Sequence, residues 1–150
     1  MENLGYYNGK FGPLNEMSIP MNDRVHWFGD GVYDAGPARN YKIFAIDEHI
    51  DRIFNSAELL EIEMPCTKQE LKDLLNKLVK EVDTGSQFVY YQVTRGTGIR
   101  DHAFTEGPGN LWVMLKPATI SDGIEPIKLI TEPDTRFFHC NIKTLNLIPS

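Results

Sequence analysis

The chain is poor in positive charge: 15 Lys and Arg against 21 Asp and Glu leave a formal net charge of −6 over 150 residues. That balance supplies no basic face for a phosphate backbone, so nucleic acid is excluded as a partner class. No uninterrupted apolar run reaches the roughly 20 residues needed to cross a bilayer. Residues Met1 to Asn8 also lack the apolar centre of a secretory signal, and the expectation is a soluble cytoplasmic protein. Cysteine is scarce. Cys66 and Cys140 lie far apart without Cys-x-x-Cys spacing, which excludes a disulfide framework and a zinc knuckle and leaves two reduced, structural thiols. His26, His49, His102 and His139 show neither i,i+4 spacing nor a nearby carboxylate cluster, so no metal site is expected. A Gly-x-Ser-x-Gly elbow and a Walker sequence are both missing. Gly29-Asp30-Gly31 and Gly96-Thr97-Gly98 are single Gly-x-Gly elements, which are more often turns than cradles for phosphate.

What is present runs in the order strands, helices, strands. Tyr6-Tyr7-Asn8-Gly9-Lys10-Phe11 sets Asn-Gly between aromatic residues. Both positions of a two-residue turn must accept positive φ, so this segment predicts an opening β-hairpin. From Val32 to Ile46 extended character is interrupted by Gly36-Pro37 and Arg39-Asn40, predicting a second hairpin around Asn40 that returns through Lys42 to Ile46. Ile50, Ile53, Ala57 and Leu60 recur at helical spacing after Asp47, a good N-cap. They predict a helix from Glu48 to Leu60 with His49 and Arg52 on its other face. Thr67 and Glu70 make a capping box, and Leu71, Leu74, Leu75, Leu78, Val79 and Val82 continue as an apolar stripe until Gly85, predicting a second helix. The β-branched and aromatic stretch from Phe88 to Thr94 and the run from Leu111 to Leu115 predict two antiparallel strands.

The fold class expected is therefore α+β: over residues 1–118, a small domain of one antiparallel sheet and two helices. Residues 119–126 turn to Ser, Asp, Gly and Pro and suit an interdomain linker. Ile127-Lys128-Leu129-Ile130 should begin a new strand, so that residues 127–150 form the first segment of a second, larger domain whose remainder is absent. The run from Leu145 to Ile148 would then find nothing to pack against and leave an exposed apolar patch.

Few residues stand out for chemistry. Lys143 is framed by Asn141, Ile142, Thr144 and Leu145; an ammonium drawn into apolar surroundings loses part of its preference for the charged form, and a neutral amine is what attack on a carbonyl requires. The ordinary alternative is an exposed lysine on a strand edge. Arg100 and His102 would face one side of an extended segment and could hold a carboxylate between two donors, or simply lie in a solvated loop. Arg52 shares a helix face with His49, where a surface arginine is by far the commoner case.

Taken together, four runs in order resemble the motifs of the fold-type IV, pyridoxal-phosphate-dependent transaminases. They are Phe28-Gly29-Asp30-Gly31-Val32-Tyr33, Glu48-His49-Ile50-Asp51-Arg52, Tyr91-Gln92-Val93-Thr94-Arg95-Gly96 with Arg100-x-His102, and Ile142-Lys143-Thr144-Leu145-Asn146. Within that family the Arg-x-His pair is most similar to the D-amino-acid aminotransferases. The resemblance implies pyridoxal 5'-phosphate as cofactor, Lys143 as the Schiff-base lysine and proton carrier, and Arg52 as a clamp on the cofactor phosphate. It implies Tyr33, Arg100 and His102 as a trap for the substrate carboxylate, the last two reaching in from the neighbouring subunit of a homodimer. It further implies that the second domain is barrel-like, that the family's glutamate on the pyridine nitrogen lies beyond position 150, and that the chain is an N-terminal fragment, inactive alone and unable to retain cofactor. Asp34-Ala35-Gly36-Pro37-Ala38 departs from the β-rich sequence expected after the tyrosine, so side-chain preference is not carried over. The expected reaction is exchange of an amino group between a D-amino acid, such as D-alanine, and a 2-oxo acid. The alternatives are a branched-chain aminotransferase, an aminodeoxychorismate lyase, or a non-catalytic dimerisation or regulatory module.

Overall fold

A computed structural model describes residues 1–134 and 139–148. The opening hairpin forms as expected: β1 (Leu4–Tyr7) and β2 (Lys10–Pro13) pair antiparallel with Tyr7 opposite Lys10. Asn8 and Gly9 take φ of 42° and 94°, the left-handed geometry that matches the twist of the flanking strands. After a single helical turn, α1 (Val25–Phe28), the chain enters β3 (Gly31–Arg39). It reverses at Asn40 and Tyr41 into β4 (Lys42–Ile43). This return strand stops well short of the expected Ile46, because Ala45 adopts φ 46° and turns the chain into α2 (Ile46–Leu59). Asp47 is accordingly not the N-cap. It lies with Glu48 in the first turn, where the helix dipole favours acidic side chains.

The capping box of α3 (Lys68–Leu78) is present: Glu70 N–H donates to Thr67 Oγ1 (3.2 Å), and Thr67 N–H donates to Glu70 Oε2 (2.7 Å). The helix ends at Leu78 rather than continuing toward Gly85, but Val79 and Val82 stay buried in the turns that follow. The long strands β5 (Gln87–Thr94) and β6 (Asn110–Pro117) pair antiparallel. One sheet results, in the order β2-β1-β6-β5-β3-β4, with every neighbour antiparallel. Together with the helices it makes the expected α+β architecture.

Both long helices lie on one face of this sheet. Ile50, Ile53 and Ala57 of α2 and Leu71, Leu75 and Leu78 of α3 pack with Val32, Val89, Tyr91, Val93, Val113 and Leu115 into one core. Removing a side chain such as Leu75, fully buried there, would cost about 2–5 kcal/mol. The alternation of the strands sends Tyr33, Phe88, Tyr90 and Trp112 to the other face, where Tyr33 stacks on Tyr90 at 5.5 Å and Tyr90 meets Trp112 edge-on at 5.3 Å. Burial between these rings pushes the Tyr90 hydroxyl up to about 12.

Beyond β6 the picture changes. Ala118 N–H still bonds to Ser86 O, but Ile127 to Ile130 form no strand, and Ile127, Leu129 and Ile130 are about four-fifths exposed. A strand needs an edge to pair with, and no strand of the described residues pairs there. The segment from Ile142 to Asn146 behaves differently and returns to β3. No helix among the described residues is long and apolar enough to cross a membrane.

Candidate active site

β5 covers one edge of β3 along its length, whereas the two-residue β4 covers only one end of the other edge. The remainder, Gly31 to Tyr33, is open to another segment, and residues 143–145 fill it. Tyr33 N–H donates to Lys143 O and Leu145 N–H to Gly31 O, both at 3.0 Å, with Thr144 bridged to Val32. A third tie comes from α2, where Ser56 Oγ accepts from Lys143 N–H at 3.2 Å. Gly29 and Gly31 permit this approach: a Cβ on Gly29 would collide with the Asn146 side chain, and one on Gly31 would come within 2.6 Å of Leu145 Cδ1. The Gly29-Asp30-Gly31 element is thus neither a simple turn nor a phosphate cradle. It is clearance for the Lys143 segment. Leu145 consequently has a partner in β3, contrary to the expectation that this run would find none, while Leu147 and Ile148 are exposed.

The pairing sets Lys143 beside Tyr33, with its ammonium 4.1 Å from the centre of the ring, a cation–π contact. Among the described residues no carboxylate pairs with Lys143 Nζ. One residue along β3, Asp34 points to the helix face and is completely buried. Arg52 meets it in a two-pronged contact, Nε to Oδ2 and Nη2 to Oδ1, both 2.7 Å, and His49 Nδ1 lies 2.8 Å from Oδ1. Such a fork is the arrangement that best repays burying a carboxylate, and it raises the Arg52 pKa further above its ordinary value. The Arg52 side chain remains 49% exposed, and its Nη1 has no hydrogen-bond partner among the described residues. Tyr91 faces the same carboxylate from β5; burial and the Asp34 charge both push its hydroxyl pKa up.

Of the five residues singled out from sequence, then, the fold gathers Tyr33, Arg52 and Lys143 at one strand edge. Arg100 and His102 lie elsewhere, in the exposed loop after β5, both packed on the Phe28 ring at 5.2 and 5.8 Å. The segment is not extended as expected, since the chain bends at Arg100, His102 and Ala103; the two side chains share one ring instead. No contact joins them to Tyr33, Arg52 or Lys143 among the described residues. A cleft of about 500 Å3 separates this loop from the returning segment, lined among others by Arg24, Phe28, Arg95, His102, Phe104 and Ile142.

Several residues here escaped notice in the sequence. Asp34 could have been found, because it alternates in phase with Val32 and Ala38, both fully buried; a carboxylate on the inward side of a strand demands a cationic partner. Arg24, Asp30 and Arg95 carry no such local mark. Of the cysteines, Cys66 is half-buried with its thiol pKa pushed up by burial, Cys140 is exposed, and no disulfide joins them.

Residues 31–150 match the family described as Amino-transferase class IV. The chain is 37% identical over 147 residues to the D-alanine aminotransferase of Listeria innocua serovar 6a, covering 94% of this chain and 51% of that protein. To the D-alanine aminotransferase of Staphylococcus epidermidis it is 32% identical over 147 residues, covering 95% and 52%. The chain therefore spans about half the length of the curated relatives it matches. Among solved structures, the branched-chain amino acid aminotransferase of Escherichia coli superposes with a TM-score of 0.72 over 83% of this chain and 42% of that one, at 13% identity. The branched-chain amino acid aminotransferase of T.th. with pyridoxamine 5'-phosphate gives 0.68 over 82% and 42%, at 22% identity. At these identities the two structures establish the shared fold.

Proposed function

The chain belongs to the amino-transferase class IV family, and from that premise we propose that the whole protein transfers an amino group between a D-amino acid, such as D-alanine, and a 2-oxo acid, using pyridoxal 5'-phosphate. The observation that carries the reading is the pairing of residues 143–145 with Gly31–Tyr33, which brings Lys143 and Arg52 to adjacent positions of one strand, through Tyr33 and Asp34. The donor chemistry fits the cofactor. An amine with no carboxylate partner among the described residues rests on Tyr33, and a permanently charged guanidinium, half its surface in solvent and one nitrogen without a partner among the described residues, is bound to the next residue, Asp34. An aldehyde that carries a phosphate asks for that combination.

Lys143 would hold the cofactor covalently through Nζ, and Arg52 would hold its phosphate. Bound there, the cofactor supplies the carbonyl that accepts the amino group and the ring that takes up the electron pair released at Cα. The chain supplies placement and proton transfer. Released when the substrate amine takes its place on the cofactor, Lys143 Nζ would take the Cα proton and deliver it to the cofactor carbon that had carried the carbonyl, a task for an amine on a backbone tied at three points. Asp34 and His49 fix the direction of the Arg52 fork. Tyr33, Arg100 and His102 take the substrate carboxylate, with Arg100 and His102 serving the active site of a second subunit, which accounts for their separation from Lys143 within one chain. In the same reading residues 1–118 are the small domain, 119–126 the linker and 127–150 the start of the large, cofactor-binding domain. D-amino acids are favoured over branched-chain L-amino acids by the Arg100-x-His102 pair and by the 37% and 32% identity to D-alanine aminotransferases.

The test is turnover of D-alanine and of L-leucine with a 2-oxo acid by the whole protein and its Lys143→Ala variant, alongside borohydride fixation of cofactor to the chain. We expect D-alanine to be the better substrate, and Lys143→Ala to lose both turnover and fixation with an unchanged melting temperature. Turnover of L-leucine but not D-alanine would overturn the substrate assignment, and fixation surviving in Lys143→Ala would overturn the role of the lysine.

A further inference from the structure

Arg24 and Arg95 are buried arginines, 3% and 5% exposed, and the function proposed above uses neither. A buried guanidinium is tolerated only when paired and fully hydrogen-bonded, and here both share one carboxylate. Asp30 Oδ2 accepts from Arg24 Nε at 2.8 Å, and the two oxygens accept from Arg95 Nε at 3.0 and 2.9 Å. Arg24 Nη1 and both terminal nitrogens of Arg95 run to the backbone. Arg95 reaches Glu61 O and Leu60 O at the end of α2 and lies flat against Phe104, 3.7 Å from the ring centre. Arg24 Nη1 bonds to Asp101 O at 2.8 Å and to Ala103 O at 2.9 Å, the carbonyls on either side of His102. Its guanidinium also sits 4.8 Å from the centre of the Phe28 ring, against which Arg100 and His102 are packed.

We propose that Arg24, oriented by Asp30 and seated on Phe28, is a positioning residue for Arg100 and His102 and thereby sets the preference for substrates that carry a carboxylate. The inference rests on the reading of Arg100 and His102 as the carboxylate trap. The loop from Arg100 to Phe104 is exposed, and its ring contacts with Phe28 and Arg95 set the seat of the side chains but not the path of the backbone between them. Charge-assisted bonds to Asp101 O and Ala103 O pin the loop backbone immediately before and after His102, and the first of them lies one residue beyond Arg100. Only a planar fork can meet a carboxylate with one nitrogen and two carbonyls with another; the point charge of a lysine cannot. An error of about 1 Å in such a trap is enough to cost on the order of a hundredfold in rate.

The experiment compares Arg24→Lys, Phe28→Leu and Arg100→Ala with the parent in the whole protein, using D-alanine and D-alaninol, the same amine without the carboxylate. The readout is the ratio of kcat/KM for the acid to that for the alcohol. We expect Arg24→Lys and Phe28→Leu each to lower the ratio by about tenfold or more, with D-alaninol turnover close to the parent. A general loosening would depress both substrates together and leave the ratio unchanged, and that result overturns the proposal. Should Arg24→Lys fail to fold, Phe28→Leu decides alone, since it leaves Asp30 with both arginines. If Arg100→Ala lowers the ratio and the other two do not, the positioning role falls while the carboxylate reading stands. If Arg100→Ala leaves the ratio unchanged, the carboxylate reading falls and this proposal with it.

Discussion

The two halves of the candidate site are built in different ways. Tyr33, Arg52 and Lys143 are joined to the core: Arg52 neutralises a fully buried carboxylate, and the Lys143 backbone extends the sheet. Arg100 and His102 rest on the Phe28 ring, and a buried arginine holds the neighbouring carbonyls of Asp101 and Ala103. In the first half one functional side chain, Arg52, also bears structure, so its loss disturbs both, whereas Lys143 is tied in through its backbone. In the second half support and function are divided between residues, so the exposed tips can change without disturbing the fold.

That contrast is sharpest at the two arginines. Arg100→Ala removes a charged contact to the substrate and should raise KM for D-alanine by an amount corresponding to on the order of 2–3 kcal/mol. Its melting temperature should match the parent, because the side chain is exposed and rests on the Phe28 ring. Steady-state kinetics paired with thermal unfolding would check this; an unchanged KM, or a clear loss of stability, would erase the distinction. Arg52→Ala should give a mixed outcome, a weaker hold on pyridoxal phosphate together with loss of stability. Stripping a partner from a buried carboxylate costs about 3–5 kcal/mol when both groups are buried. Arg52 is 49% exposed and His49 remains on Asp34, so about 2 kcal/mol is the expected loss after allowing for solvent screening. Cofactor titration and denaturant unfolding on one preparation would decide, and a variant as stable as the parent would show that Asp34 does not depend on the arginine.

The same division explains what could be read without coordinates. The Asn8-Gly9 hairpin, the β5–β6 pair and the Thr67–Glu70 box depend on residues close in sequence or on strict alternation, and all three are found. Boundaries set by backbone conformation were less legible. Nothing in Ala45 signals a left-handed φ, so residue pattern alone extends β4 to Ile46 and puts the cap at Asp47, where the structure ends the strand at Ile43 and caps at Ala45. Ile127 to Ile130 has the composition of a strand, yet composition cannot supply the neighbouring edge. At the site, the Tyr33, Arg52 and Lys143 motifs could be named as candidates, but their meeting depends on a pairing across more than a hundred residues. The Arg24–Asp30–Arg95 cluster was illegible for the same reason. Its parts sit in unrelated motifs, and only the folded loop brings the carbonyls of Asp101 and Ala103 to Arg24.

The comparison of the two halves also implies a region that should matter to neither, and the start of α3 supplies it. Thr67→Ala removes a side-chain cap and should cost about 1 kcal/mol, with cofactor fixation and KM for D-alanine unchanged. The acid dependence of this cap belongs to Glu70, whose carboxylate accepts from Thr67 N–H at 2.7 Å and from Thr67 Oγ1 at 2.8 Å. The backbone bond, more than the hydroxyl, holds its pKa below the usual glutamate value. A group whose pKa is lower folded than unfolded stabilises the fold above the unfolded value and loses that contribution as pH falls through the folded one. Parent and Thr67→Ala should therefore both become less stable on acidification through the glutamate range, since the alanine variant keeps the backbone bond. Glu70→Gln should be less stable than the parent at neutral pH and converge on it in acid, once the pH lies below the lowered pKa of the folded carboxylate. Urea unfolding of the three proteins at neutral and acid pH is the measurement. A gap between parent and Glu70→Gln that persists in acid would show the glutamate acting through packing rather than charge, and a shift in KM in any of them would mean that α3 is coupled to the site after all.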